Sequence, residues 1–128
     1  HEKYFTIKYK KGKFTKYKLA IRNICHQSMF FPTQFLKEHP YDLKYKAYSD
    51  WVSNIFFISK GFRFVYLNII IAKYEIGGFS ESGDNVFRKT QGQLIRKHLG
   101  CKAYLYYKFR NLITDIIKPF ISHFNNNK

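Results

Sequence analysis

The chain has 128 residues, of which 45% are hydrophobic and 20% aromatic, and a formal charge of +15. That suffices for one domain with a packed core, is too little for two, and excludes general disorder. Two widely spaced cysteines, Cys25 and Cys101, exclude a disulfide framework and fit a reducing cytosol. The most apolar run, Phe64 to Ala72, is about half of what a bilayer span needs, and the lysine-rich start is no signal peptide.

The charge is unevenly spread. Residues 3 to 18 hold seven lysines and no acid, and beyond Asp84 only Asp115 opposes nine Lys and Arg. Basic ends of this kind suit a polyanion: nucleic acid, anionic lipid or a phosphate-bearing substrate. The chain opens on His1 rather than Met, as expected of a fragment or a processed product.

In chain order, Lys3 to Lys18 alternates lysines with Tyr4, Phe5, Ile7, Tyr9, Phe14, Thr15 and Tyr17 around Lys11-Gly12-Lys13, which predicts a hairpin. Asn23 to Phe31 reads as a strand stopped by Pro32, with His26 and Gln27 as two adjacent polar residues in an otherwise apolar run. Such local conflicts concentrate at functional sites, although a strand histidine is commonly just a satisfied core residue. A short helix is expected over Thr33 to His39.

The stretch from Tyr48 to Gly61 predicts one bounded helix. Ser49 is the expected N-cap and Gly61 the expected left-handed residue after its end. Trp51, Val52, Ile55, Phe56 and Ser59 recur at helical spacing and mark the buried face. Asp50 then falls in the first turn, where the positive end of the macrodipole favours a carboxylate. Beyond Gly61, Arg63 to Leu67 and Ile69 to Tyr74 carry β-branched and aromatic residues and read as two strands. Gly77-Gly78 lies in a loop, Val86 to Leu99 reads as a helix closed by Gly100, and Lys102 to Phe124 as an amphipathic helix kinked at Pro119. Its apolar positions run from Leu105 to Phe124 in steps of four, three and one, with Lys102, Lys108, Arg110 and Lys118 on a basic side.

Taken in order, His26-Gln27, Tyr41-Asp42-Leu43-Lys44-Tyr45-Lys46, Asp50-Trp51, Lys60-Gly61-Phe62 and Gly77-Gly78-Phe79-Ser80 resemble the C-terminal, acceptor-side half of family 2 glycosyltransferases of the GT-A type, from bacterial exopolysaccharide or lipopolysaccharide biosynthesis. The likeness covers roughly residues 20 to 100. It departs at Ser49, where many relatives carry an acid, and the Asp-x-Asp metal motif of the family's N-terminal half is absent.

The resemblance implies an α/β fold, a partial GT-A domain of mixed or antiparallel strands with packed helices. Residues 1–100 would form the C-terminal part of the catalytic domain, and 101–128 an amphipathic helix and tail. It implies inverting transfer from a nucleotide-diphosphate sugar to a glycan or lipid-linked acceptor, with Asp50 as catalytic base. His26, Gln27, Trp51, Gly77, Gly78 and Ser80 would bind the acceptor, and Arg88 would approach the diphosphate. A divalent metal, Mg or Mn, would act in the complete enzyme, with none bound by this chain alone. The expected location is cytoplasmic, peripheral on the inner face of the membrane.

Two rivals stand beside this reading. Lysines interleaved with Tyr and Phe could serve a basic nucleic-acid-binding module, but no recognised nucleic-acid motif accompanies them. A zinc site from Cys25, His26, His98 and Cys101 would need two strand neighbours to face one ion, which alternation forbids.

Overall fold

A computed structural model describes residues 14–24, 26–69, 71–72 and 83–125, with side chains of the last helix described to Pro119. The expected hairpin through Lys13 and the Gly77-Gly78-Phe79-Ser80 loop lie outside the described residues.

Five helices organise the rest: α1 (Lys16–Ile21), α2 (Thr33–Glu38), α3 (Ser49–Ser59), α4 (Asn85–Leu99) and α5 (Cys101–Asn125). Among the described residues there is no strand, so the expected α/β GT-A architecture is overturned. Each misassigned segment has its own reason. Thr15, expected at period two, instead caps α1 by accepting a 3.3 Å bond from the Lys18 N–H, and the adjacent Leu19 and Ala20 are both buried, which does not fit a strand with one solvent face. In the expected Asn23–Phe31 strand, His26–Ser28 forms a 3₁₀ turn closed by Met29 N–H to His26 C=O at 3.2 Å. Residues 62–67 carry no ladder, and Val65 is 82% and Ile69 58% exposed. β-Branched composition describes a fit to a half-buried pleated surface; here the segment packs through aromatic rings instead, Phe62 against Phe35 and Phe57, and Phe64 against Phe14.

The α1 helix has only six residues and cannot persist alone. Its last carbonyls, which have no partner within the helix, are taken from outside: Trp51 Nε1–H donates to Leu19 O at 2.7 Å and Gln91 Nε2 to Ala20 O at 3.1 Å. Leu19, Ala20, Ile55, Ile95, Leu99 and Ala103 form the core, drawn from α1, α3, α4 and α5. The Trp51 ring lies 4.7 Å from that of Phe87 on α4.

The α3 helix buries two sides rather than the one expected. Ile55 enters the core, while Phe57 meets Phe31, Phe35 and Phe62 in a second aromatic cluster. Ser59 is exposed, so the buried face is rotated from the predicted one towards Asn54 and Phe57. Ser49 is the first helical residue rather than the cap; Tyr48 holds that position with no side-chain bond. Gly61 adopts φ 87, as a residue without Cβ can after a helix end.

Gly100 separates α4 from α5 as a single residue at φ 89, its N–H bonded to Ile95 O at 3.1 Å. A Cβ on Gly92 would stand 3.4 Å from the Tyr104 ring, which marks how closely α5 lies on α4.

Asp84 joins distant parts of the chain. One carboxylate oxygen caps α4 through Phe87 N–H at 3.0 Å, and the other accepts from Ala47 N–H, also at 3.0 Å. Burial pushes its pKa up, but backbone donors from Phe87, Ala47, Tyr48 and Val86 outweigh burial and hold it below 3.8. The ionised form is therefore the one the fold binds. Its contribution is present above the unfolded value and lost as pH falls through the lower folded one. Asp84→Ala is expected to cost about 2 kcal/mol at neutral pH. In urea unfolding at several pH values, that difference should shrink only below the ordinary carboxyl pKa; a difference that is flat into acid would contradict the capping role.

Candidate functional site

The α3 N-terminus presents Asp50 beside the turn that follows α1. Asp50 Oδ1 accepts from Trp51 N–H at 2.8 Å, which fixes the carboxylate against its own first turn. Oδ2 accepts from Asn23 Nδ2 at 2.8 Å and lies 3.5 Å from His26 Nδ1. The Asp50 side chain is 15% exposed and that of His26 60%, so the pair sits at the rim of the fold with the imidazole outermost. The 3₁₀ turn makes this meeting possible, because it folds His26 back towards α3.

Behind the carboxylate runs a chain of amides. Asn54, one helical turn after Asp50 on the same side of α3, donates through Nδ2 to Asn23 Oδ1 at 3.0 Å, and Asn23 donates onward to Asp50. Asn54 is fully buried, and its Nδ2 also approaches Met29 Sδ at 3.8 Å. Its Oδ1 is buried without a hydrogen-bond donor in reach among the described residues. A buried orphan carbonyl costs stability and is uncommon in folded proteins. The fold here keeps one at the foot of the amide chain that orients Asp50.

Tyr41 completes the surroundings. Burial first, and the Asp50 charge second, push its phenol above 10.0, so it remains a protonated donor near the carboxylate.

The other sequence-predicted residues are placed as follows. Gln27 is exposed next to His26. Trp51 is turned towards α1 and α4 through its bond to Leu19 O and its contact with Phe87. The Arg88 guanidinium lies over Gly83, next to the Asp84 cap. Gly77, Gly78 and Ser80 lie outside the described residues. Sequence reasoning missed Asn23 and Asn54. The available signal was an amide four residues after Asp50, inside the run that buries α3, where an apolar side chain would be the ordinary choice.

No three His, Cys, Asp or Glu side chains gather closely enough for a metal ion among the described residues. Cys101 is exposed, and His98 is half-buried against Phe56, its pKa lowered by burial first and then by Lys97 and Lys60. The described residues do not fit a divalent ion. What they can do chemically rests on one oriented carboxylate with an imidazole, an amide and a phenol around it.

Sixty-four residues of the chain are 38% identical to part of the PGL/p-HBAD biosynthesis glycosyltransferase of Mycobacterium bovis (strain BCG / Pasteur 1173P2). The protein of that name from Mycobacterium tuberculosis (strain ATCC 25177 / H37Ra) matches with the same figures. Each match takes in 48% of this chain and 25% of the relative, so the chain spans about a quarter of the length of the curated relatives it matches. No family model matches the chain, and no solved structure matches it significantly. This similarity makes the chain a partial homologue of glycosyltransferases.

Asn54 carries a stability prediction. Asn54→Ala is expected to lose about 2 kcal/mol, from the cavity and from the Asn23 carbonyl left without its donor. Urea unfolding measures it, and an unchanged midpoint would mean that the amide chain holds nothing in place.

Proposed function

We propose that this chain is the acceptor-side part of a family 2-like glycosyltransferase, with Asp50 as the catalytic base. In the complete enzyme the reaction is inverting transfer of a sugar from a nucleotide-diphosphate sugar to an acceptor hydroxyl during surface polysaccharide synthesis. The reading draws on the partial similarity to glycosyltransferases. The observation that carries it is the Asp50 carboxylate, oriented from behind by Asn23 at 2.8 Å and flanked on its open side by His26 at 3.5 Å.

The chemistry follows from that arrangement. As the acceptor oxygen bonds to the anomeric carbon, its proton passes to the Asp50 carboxylate. The bond from that carbon to the diphosphate breaks on the opposite face, the nucleoside diphosphate leaves with the electron pair, and the configuration inverts. Asn23 and the Trp51 N–H hold the carboxylate in one orientation, so its reach towards an acceptor is set before the acceptor arrives. His26 stands outermost and would hydrogen-bond the acceptor, and the Tyr41 phenol would donate to the same group. Gly77, Gly78 and Ser80 are proposed to line the acceptor side. The diphosphate, and the Mg or Mn ion that neutralises it, belong to the donor side of the complete enzyme, with Arg88 as this chain's nearest contribution.

Two measurements test the reading. In the complete enzyme, Asp50→Asn is expected to leave folding and donor binding intact and to lower turnover at least about a hundredfold, the low end for a general base. Near-normal turnover would reduce Asp50 to a helix-start residue. Residues 1 to 128 alone are expected to show no manganese-dependent affinity for uridine, guanosine or thymidine diphosphate sugars in calorimetric titration, beyond weak attraction that salt screens. A saturable, manganese-dependent signal would place a donor site in this chain and sink the division of labour.

A further inference from the structure

Among the described residues α5 packs on the fold through its first two turns. Ala103 is buried, and Tyr104 and Tyr107 lie against the core. From Lys108 to Pro119 every residue but Ile113 is exposed. Within this helix Leu105, Phe109, Leu112 and Ile116 follow one another at steps of four, three and four, which aligns them in one row. They are 66%, 61%, 58% and 56% exposed. Three and four residues to a turn put this row on the side of α5 opposite Ala103 and Tyr107, so it points away from the core. An apolar face of this length is uncommon on the surface of a soluble monomer.

Charge narrows what can cover it. At 3.6 residues to a turn Lys102 and Lys108 fall on the two flanks of the row, while Arg110 and Lys118 lie on the side of the helix behind it, all exposed. Asp115 is the single acid of the helix and sits behind the Lys108 flank. The chain as a whole carries +15. A second copy would bring like charges together along both flanks. A single-stranded nucleic acid would want stacking planes, and Leu105, Leu112 and Ile116 are aliphatic. No helix among the described residues is long and apolar enough to cross a membrane. An aliphatic stripe between basic flanks on a helix that does not span is the pattern of a helix lying in a lipid headgroup region.

We infer that α5 is an interfacial helix, which sinks Leu105, Phe109, Leu112 and Ile116 into an anionic membrane surface while Lys102 and Lys108 reach its headgroups. This is independent of the transferase reading, since none of these side chains belongs to the Asp50 site.

Flotation of the full chain tests it, with vesicles of phosphatidylcholine alone and of phosphatidylcholine mixed equally with phosphatidylglycerol. Recovery is expected with the anionic vesicles and should fall as salt rises. Phe109→Ser with Leu112→Ser leaves the charge unchanged and removes exposed side chains only, so circular dichroism should stay the same while vesicle affinity drops roughly tenfold or more. Lys102→Gln and Lys108→Gln should each weaken binding about fivefold. Equal recovery from neutral and anionic vesicles, or none from either, overturns the inference. Full binding by the double serine variant overturns it too, because bulk charge would then suffice. A wild-type dimer in sedimentation that ignores vesicles and is split by the serine changes would assign the face to a second copy instead.

Discussion

Two side chains that complete a short helix hold this fold together. The α1 helix cannot satisfy its own C-terminal carbonyls, and the donors it needs come from α3 and α4, as Trp51 Nε1–H to Leu19 and Gln91 Nε2 to Ala20. Each such bond contributes on the order of 1 kcal/mol, but leaving either carbonyl buried and unpaired would cost more. That asymmetry makes the three helices interdependent. Once Trp51 is committed to Leu19, α3 has a fixed rotation, and Asp50 must emerge beside the segment that leaves α1.

The polar chain behind Asp50 follows from the same fixed rotation. Asn54 lies one turn below Asp50 and can meet Asn23 only because α1 has delivered Asn23 to that side of α3. A leucine at position 54 would pack without an orphan carbonyl and would be the choice of a sequence selected for stability alone. The amide makes sense as part of a site, because it fixes Asn23, whose amide then has one way to face the carboxylate.

Helices with long apolar periodicity were legible in the sequence: α4 and α5 appear within a residue or two of their expected bounds, and so do α2 and α3. His26 stood out in the sequence as a polar residue in an apolar run and Asp50 as a helix-start carboxylate, while their meeting was implied by the family resemblance alone. The secondary structure around His26 was not legible, since a β-rich composition does not distinguish a strand from a turn until a partner strand is known. The amide chain was hidden for a different reason. Asn23 and Asn54 are 31 positions apart and acquire meaning only through the rotation of α3, which the Trp51 bond sets across 32 positions. Period-two alternation near Tyr17 likewise obscured α1, although Thr15 ahead of Leu19 and Ala20 was a usable cap signal.

The single-residue joint at Gly100 gives α5 the mechanics of a lever. Its 25 residues make an arm of roughly 37 Å, supported near one end by the close contact of Tyr104 with Gly92. A rotation of about 10° at the joint would carry the far end through roughly 6 Å, more than one helical turn. The aim of the arm is thus set at its base, by Gly100 and Gly92, neither of which belongs to its outer row of side chains. A methyl group added at Gly92 would only touch Tyr104, whereas a longer side chain there would press on the fulcrum, and that shift would be multiplied along the arm while every side chain on it stayed the same.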